Sequence, residues 1–234
     1  MTLEHATAGV LVAVPILFNV AFFALGRAFD YPSILRESPD TILRRFHEGG
    51  PGLLLRWQAL LWSAAALLAP VVLVAAVVEA PAVLTFASIL IGGAAAFVQM
   101  LALARWPFLV PELARRYVAA PEGTAGDATR DAIEVTFAAV HRLFGVGIGE
   151  HLGYLLTGAW TLIVAAAVAT TGVLPAWLGL IGMPIGLGIL VGALEFVGPN
   201  EADGWAVAGR VVAVAYVAWS LWLIGLGVAL AIAA

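Results

Sequence analysis

Residues 53–104 read LLLRWQALLWSAAALLAPVVLVAAVVEAPAVLTFASILIGGAAAFVQMLALA, and the only charged side chains among them are Arg56 and Glu79. A bilayer core of about 30 Å takes roughly 20 helical residues at about 1.5 Å each. The runs 53–78 and 82–104 both exceed that length, and Glu79-Ala80-Pro81 leaves room only for a tight reversal between them. With no water in the hydrocarbon, backbone N–H and C=O groups must bond within their own helix. Two antiparallel membrane-crossing helices follow.

Working outward, four more stretches have the same character: 7–28, 148–171, 176–198 and 206–232. Gly172-Val173-Leu174-Pro175 makes the second tight hairpin, and Pro199-Asn200-Glu201 opens the loop before the last span. The pattern predicts an all-α fold, a polytopic helical membrane bundle of six spans with amphipathic cytoplasmic helices, in a single transmembrane domain over residues 1–234. Composition agrees. Hydrophobic residues make up 63% of the chain and charged ones 11%, against about 25% charged in soluble domains, and the mean hydropathy is +1.03. A chain of this length has no interior large enough to hide so much apolar surface, so that surface faces lipid. Residues 1–5 lack a basic segment and the run after them is long enough to span, so a cleaved signal peptide is not expected.

All 11 basic residues are arginine. Arg27, Arg36, Arg44, Arg45 and Arg56 fall in or beside the first loop; Arg105, Arg115, Arg116, Arg130 and Arg142 fall in or beside the third. Ten of the 11 therefore share one side, which the positive-inside rule places in the cytoplasm with both termini outside. Reading 132–149 as a polar seventh span is the alternative, and it moves the C-terminus inside. Arginine and alanine enrichment suits a GC-rich bacterial genome and hence a bacterial plasma (inner) membrane. A pI near 5.5 without a basic cluster argues against nucleic acid as a partner. The absence of cysteine excludes disulfides, thiol catalysis and thiolate-held metals.

The loops carry structure of their own. Ser38 followed by Pro39 marks a helix start and Gly49-Gly50-Pro51 a stop. Between them Ile42, Leu43 and Phe46 oppose Arg44, Arg45 and Glu48, which predicts a short amphipathic helix lying on the inner leaflet. In the third loop Ile133, Phe137, Val140 and Phe144 recur at helical spacing, with Arg130, Glu134 and His141 assigned to another face. That helix runs into Gly145, Gly147 and Gly149, where a bend is expected.

Ionisable groups at membrane depth are costly and tend to face a bundle interior. Glu150, His151, His141, Glu134, Gln99, Gln58, Arg105, Glu195 and Arg210 all fall in or near the cytoplasmic half and form the candidate ligand-binding cluster. Glu195 and Arg210 flank one short loop, so an ion pair between them is the economical reading. For Glu150 and His151 the expected partners are Gln58, Gln99, Arg105 or Arg210. The spacing of His and Glu matches no metal motif, so no metal site and no cofactor is expected. Gly182-x-x-x-Gly186 and Gly188-x-x-x-Gly192 permit close helix approach, read as packing within the chain ahead of a homo-oligomer seam. Trp57, Trp106, Trp177 and Trp205 suit an interfacial belt, while Trp62, Trp160, Trp219 and Trp222 sit deeper, where lining an apolar pocket, facing lipid or packing between helices explains them equally well.

The run Val140-His141-Arg142-Leu143-Phe144-Gly145-Val146-Gly147-Ile148-Gly149-Glu150-His151-Leu152-Gly153-Tyr154, continuing to Thr161, together with Leu174-Pro175-Ala176-Trp177-Leu178-Gly179, resembles an uncharacterised family of bacterial multi-pass membrane proteins carried as a domain of unknown function. Phe29-Asp30-Tyr31-Pro32-Ser33-Ile34-Leu35-Arg36 is similar to hypothetical membrane proteins of actinobacteria. The resemblance implies a helical bundle and assigns no catalytic residue. The leading expectation is a non-enzymatic protein that binds or transports a small apolar or amphiphilic, lipid-like molecule, with membrane lipids as partners. The alternatives are a membrane-embedded enzyme using the Glu/His cluster and an assembly or regulatory subunit. A reporter fused at Ala234 should read out on the non-cytoplasmic side; a cytoplasmic signal there would favour seven spans.

Overall fold

The computed structural model describes residues 2–234, and among them the chain is helical with no strand. Helix α1 spans Leu3–Phe29. Helices α2 (Pro39–Ala66) and α3 (Leu68–Val77) form the second crossing, and α4 (Ala82–Phe108) with α5 (Val110–Ala119) forms the third. Helix α6 (Thr124–Val140), a π-helical segment (His141–Leu152) and α7 (Gly153–Thr171) make the fourth, followed by α8 (Ala176–Gly192) and α9 (Ala206–Ala233). Five of these stretches, Leu3–Phe29, Pro39–Val77, Ala82–Ala119, Thr124–Thr171 and Ala206–Ala233, are long and apolar enough to cross a membrane, and α8 is a shorter apolar helix. The protein is a multi-pass helical bundle. Because α6, the π segment and α7 continue one another without a reversal, residues 132–149 do not form a separate crossing.

The punctuation follows local chemistry. Ser38 caps α2 by accepting from the Thr41 N–H, with Pro39 at the first helical position. Gly50 takes φ +53°, a conformation that glycine adopts without steric cost, and kinks α2 before Pro51. Pro70 has no N–H to give the Ala66 carbonyl, and the helix breaks at Leu67 between α2 and α3. Gly172 closes α7 in the left-handed region.

The helices pack around two cores. One lies toward the hairpin ends and joins Ala8 and Leu11 of α1 to α3, α7, α8 and α9 through Val71, Trp160, Val168, Ile189 and Leu223. Glycines on α8 bring its neighbours close: a Cβ at Gly186 would stand 2.9 Å from the Leu162 side chain of α7, and one at Gly188 would stand 3.1 Å from Ala215 of α9. The small-residue spacing on α8 thus serves packing within the chain. The second core, at the arginine-bearing end, is aromatic. Trp57 and Trp106 are fully buried and stack at 4.2 Å between ring centroids and 7° between planes. Phe29 meets both rings edge-on, and Phe46 stacks on Trp106.

Two expectations change here. Ile42, Leu43 and Phe46 are buried in this second core with Trp106, Leu113 and Tyr117, so the amphipathic start of α2 lies on protein instead of on a leaflet. Trp57 and Trp106 leave the interfacial belt for the same reason: two facing aromatic planes exclude more water from each other than a headgroup layer would. The deep tryptophans divide between the packed and the lipid-facing alternatives. Trp160, Trp219 and Trp222 are packed into the first core, while Trp62 is 65% exposed toward lipid. Trp177 and Trp205 are exposed near helix ends, as a belt requires. Replacing Trp106 by alanine should cost about 3–5 kcal/mol in a detergent unfolding titration. Trp57→Ala should add less to that variant than it costs alone, because the two rings share one contact.

Candidate functional site

The π segment is where the fourth crossing becomes polar. Such wide turns are rare, shift side chains out of the α register and are frequent at functional sites. This one lies flush on α4 because Gly145 and Gly149 within it, and Gly153 opening α7, face that helix. A Cβ at Gly145 would stand 2.9 Å from Arg105 Nη2, and one at Gly149 would stand 3.0 Å from the Ala102 Cβ. At Gly153 a Cβ would collide with the Gln99 amide. Gln99, Ala102 and Arg105 recur every three residues on α4, so the glycine ridge and the α4 ridge meet along their length. Gln99 Nε2 donates to the Gly149 carbonyl at 3.4 Å, using an acceptor that the altered helical register leaves available.

Glu150 and His151 then point to different partners. Glu150, whose side chain is 15% exposed, is held by Arg36 Nη2 at 3.2 Å. His151 Nδ1 donates to the Ala193 carbonyl at the end of α8, 2.7 Å away. Both contact protein, as a polar cluster requires, but neither contact was among the expected ones: the partner of Glu150 is Arg36, from the loop after α1. The same guanidinium reaches Glu195 Oε1 at 3.8 Å and lies 4.7 Å from the centroid of the Phe196 ring. Arg142 lies 5.4 Å from the same ring centroid and bonds Glu201. Glu195 and Arg210 do not pair. Arg210 is exposed and its Nε donates to the Ala206 carbonyl one turn back, so Glu195 is left to Arg36, whose loop folds over the end of α8.

Arg105 is the deepest charge of the cluster. It is only 8% exposed, its Nη1 donates to the Ala102 carbonyl, and its Nε has no partner among the described residues. No carboxylate lies within ion-pair distance of it among those residues. His141 shares the space over Gly145, its Nε2 3.8 Å from where a Cβ would be, and its Nδ1 is also unpartnered. Instead of joining a polar face with Arg130 and Glu134, His141 stacks on Phe137 at 5.3 Å. Beside them, in the loop between α1 and α2, burial pushes the Tyr31 phenol up to about 12, with Arg105 opposing and Glu150 adding to the shift. An open depression of about 400 Å³ on the other side of Tyr31 is lined by Asp30, Ser33, Glu37 and Arg45 among others.

The remaining predicted residues stand apart. Glu134 accepts from the Tyr117 hydroxyl, which also contacts Asp40, roughly 20 Å along the helix from Glu150. A Glu/His set uniting Glu134 with Glu150 and His151 is therefore not assembled. Gln58 makes no side-chain hydrogen bond among the described residues, and Asn19 bonds Ser220 across α1 and α9 at 3.0 Å. Sequence reasoning missed Arg36 and Tyr31, whose loop gives no local sign of folding back. It also passed over Gly145-x-x-x-Gly149-x-x-x-Gly153, a readable spacing of the same kind as on α8.

Residues 7–227 match the model of a single family, described as Domain of unknown function (DUF4386). The chain belongs to this family. The match runs through α1 to α9 and so takes in both cores and the polar cluster. No curated protein and no solved structure matches the chain. In this DUF4386 protein the Arg36 bridge is testable: Arg36→Ala and Glu150→Gln should be non-additive by about 1 kcal/mol. Arg210→Ala and Glu195→Gln should simply add.

Proposed function

We propose that this DUF4386 protein is a non-enzymatic membrane protein of the bacterial plasma membrane that binds, or passes across the bilayer, an amphiphilic, lipid-like molecule. Its polar head would occupy the cluster of Arg105, His141, Glu150, His151 and Gln99 on the cytoplasmic side, and its apolar part would lie in lipid along the helices. The observation that carries this reading is the buried Arg105, which the fold surrounds with polar groups yet leaves without a carboxylate in ion-pair distance among the described residues, Glu150 acting on it only from farther off. A guanidinium stripped of water is expensive unless paired, and ionisable groups at membrane depth mark binding sites and pathways more often than scaffolding. The solidly packed tryptophans speak for a ligand with a polar head over a wholly apolar one enclosed among the helices. The arginine-bearing end supports the assignment of the cluster to the cytoplasmic side.

Native mass spectrometry of protein purified in mild detergent tests the reading. The wild type should carry a bound amphiphile at close to one per chain. Gln99→Leu, which removes a neutral polar group of the cluster, should lower that occupancy several-fold while the protein still elutes as a folded species. Wild-type protein free of any bound amphiphile, and unable to take one up from added lipid, would remove the proposal.

A further inference from the structure

We infer that the head taken up by this site is a net anion, a phosphate or carboxylate group, and that Arg105 receives it through the guanidinium N–H groups left without an acceptor. The inference rests on the amphiphile-binding reading and adds the chemistry of the head. Arg105 carries five N–H donors in a planar fork. Among the described residues only Nη1 has a hydrogen-bond acceptor, the Ala102 carbonyl; beyond that the guanidinium lies 5.2 Å from the ring centroid of its neighbour Trp106. The acidic groups facing this region, Glu150 and Glu195, are both engaged by Arg36, whose side chain is 47% exposed at the surface. The fold thus holds a surface arginine on two carboxylates and keeps a buried one with no carboxylate in ion-pair distance among the described residues, Glu150 reaching it only through longer-range attraction. A phosphate or carboxylate can accept from a guanidinium through two parallel hydrogen bonds, and His141 stands beside the fork, with its Nε2 toward Gly145. Arg105 takes this position because residue 145 has no side chain: the guanidinium packs on the Gly145 backbone, and a Cβ there would press on Nη2 at 2.9 Å. A zwitterionic head would bring a second cation against Arg105, where there is no acid left to receive it.

The full chain in detergent, titrated with phosphatidylglycerol, with phosphatidylcholine of matched chains and with inorganic phosphate, tests this by native mass spectrometry and thermal unfolding. Wild-type protein should bind phosphatidylglycerol at least about tenfold more tightly than phosphatidylcholine, the equivalent of one charge-assisted hydrogen bond. Arg105→Gln should abolish the preference, and Arg210→Gln, which removes an exposed arginine at the same end, should keep it. Should Arg105→Gln fail to fold, Gly145→Ala carries the same test, since it keeps the charge and displaces the guanidinium; it too should lose the preference. Equal binding of both lipids, unchanged in the Arg105 and Gly145 variants, overturns the inference while leaving amphiphile binding intact. Binding of neither lipid overturns both. Protection by inorganic phosphate matching that of phosphatidylglycerol keeps the anion at Arg105 and overturns a lipid as its source.

Discussion

The π segment can lie against α4 only because the ridge it presents there has no side chains. At Gly145, Gly149 and Gly153 the backbone itself meets Arg105, Ala102 and Gln99. Much else at that end is set by this approach. It buries Arg105, offers the Gly149 carbonyl to Gln99, and aims Glu150 and His151 at separate neighbours. In lipid, where hydrophobic association between helices is weak, close packing of this kind is a principal source of attraction. The same contact that joins the third crossing to the fourth therefore also shapes the polar cluster.

Around this contact the charges are arranged unevenly. Arg36 reaches across from the α1–α2 loop to acids on the π segment and at the end of α8, with Phe196 beneath it. Three separate parts of the chain are tied at one guanidinium. The buried arginine a short way inside is tied to a carbonyl alone. A protein selected only for stability gains nothing from that division, because a surface ion pair contributes little while an unpaired interior charge is costly.

Much of the architecture was legible in the linear chain. Long apolar runs identify crossings without knowledge of their partners, since a helix in lipid satisfies its own backbone; the hairpins at Glu79-Ala80-Pro81 and Gly172-Val173-Leu174-Pro175 stand where composition placed them. Pairings were harder. Glu195 and Arg210 are near in sequence, yet Arg36 reaches Glu195 first because the preceding loop crosses the end of α8, and no local pattern encodes that path. Amphipathicity was similarly ambiguous at Ile42, Leu43 and Phe46: an apolar stripe wants a dry surface, and the stripe does not say whether lipid or the Trp57–Trp106 stack supplies it. The glycine ridge could have been read, since its four-residue spacing is visible, but the triplet of glycines at every second position drew the eye to a bend.

The fifth crossing, α8, has 17 residues, so it reaches about 25 Å against a hydrocarbon thickness of about 30 Å. A bilayer meeting so short a segment thins locally instead of exposing its interior to polar backbone, at a cost of fractions of a kcal/mol per Å. Thinning at the Glu195 end of α8 would act beside Ala193 and Glu195, where His151 and Arg36 make their contacts. Headgroups and water next to α8 would therefore ride several Å deeper than elsewhere around the protein. Membrane thickness becomes a variable for this molecule: a thicker bilayer strains the short helix, and a thinner one brings the lipid surface level with the polar cluster.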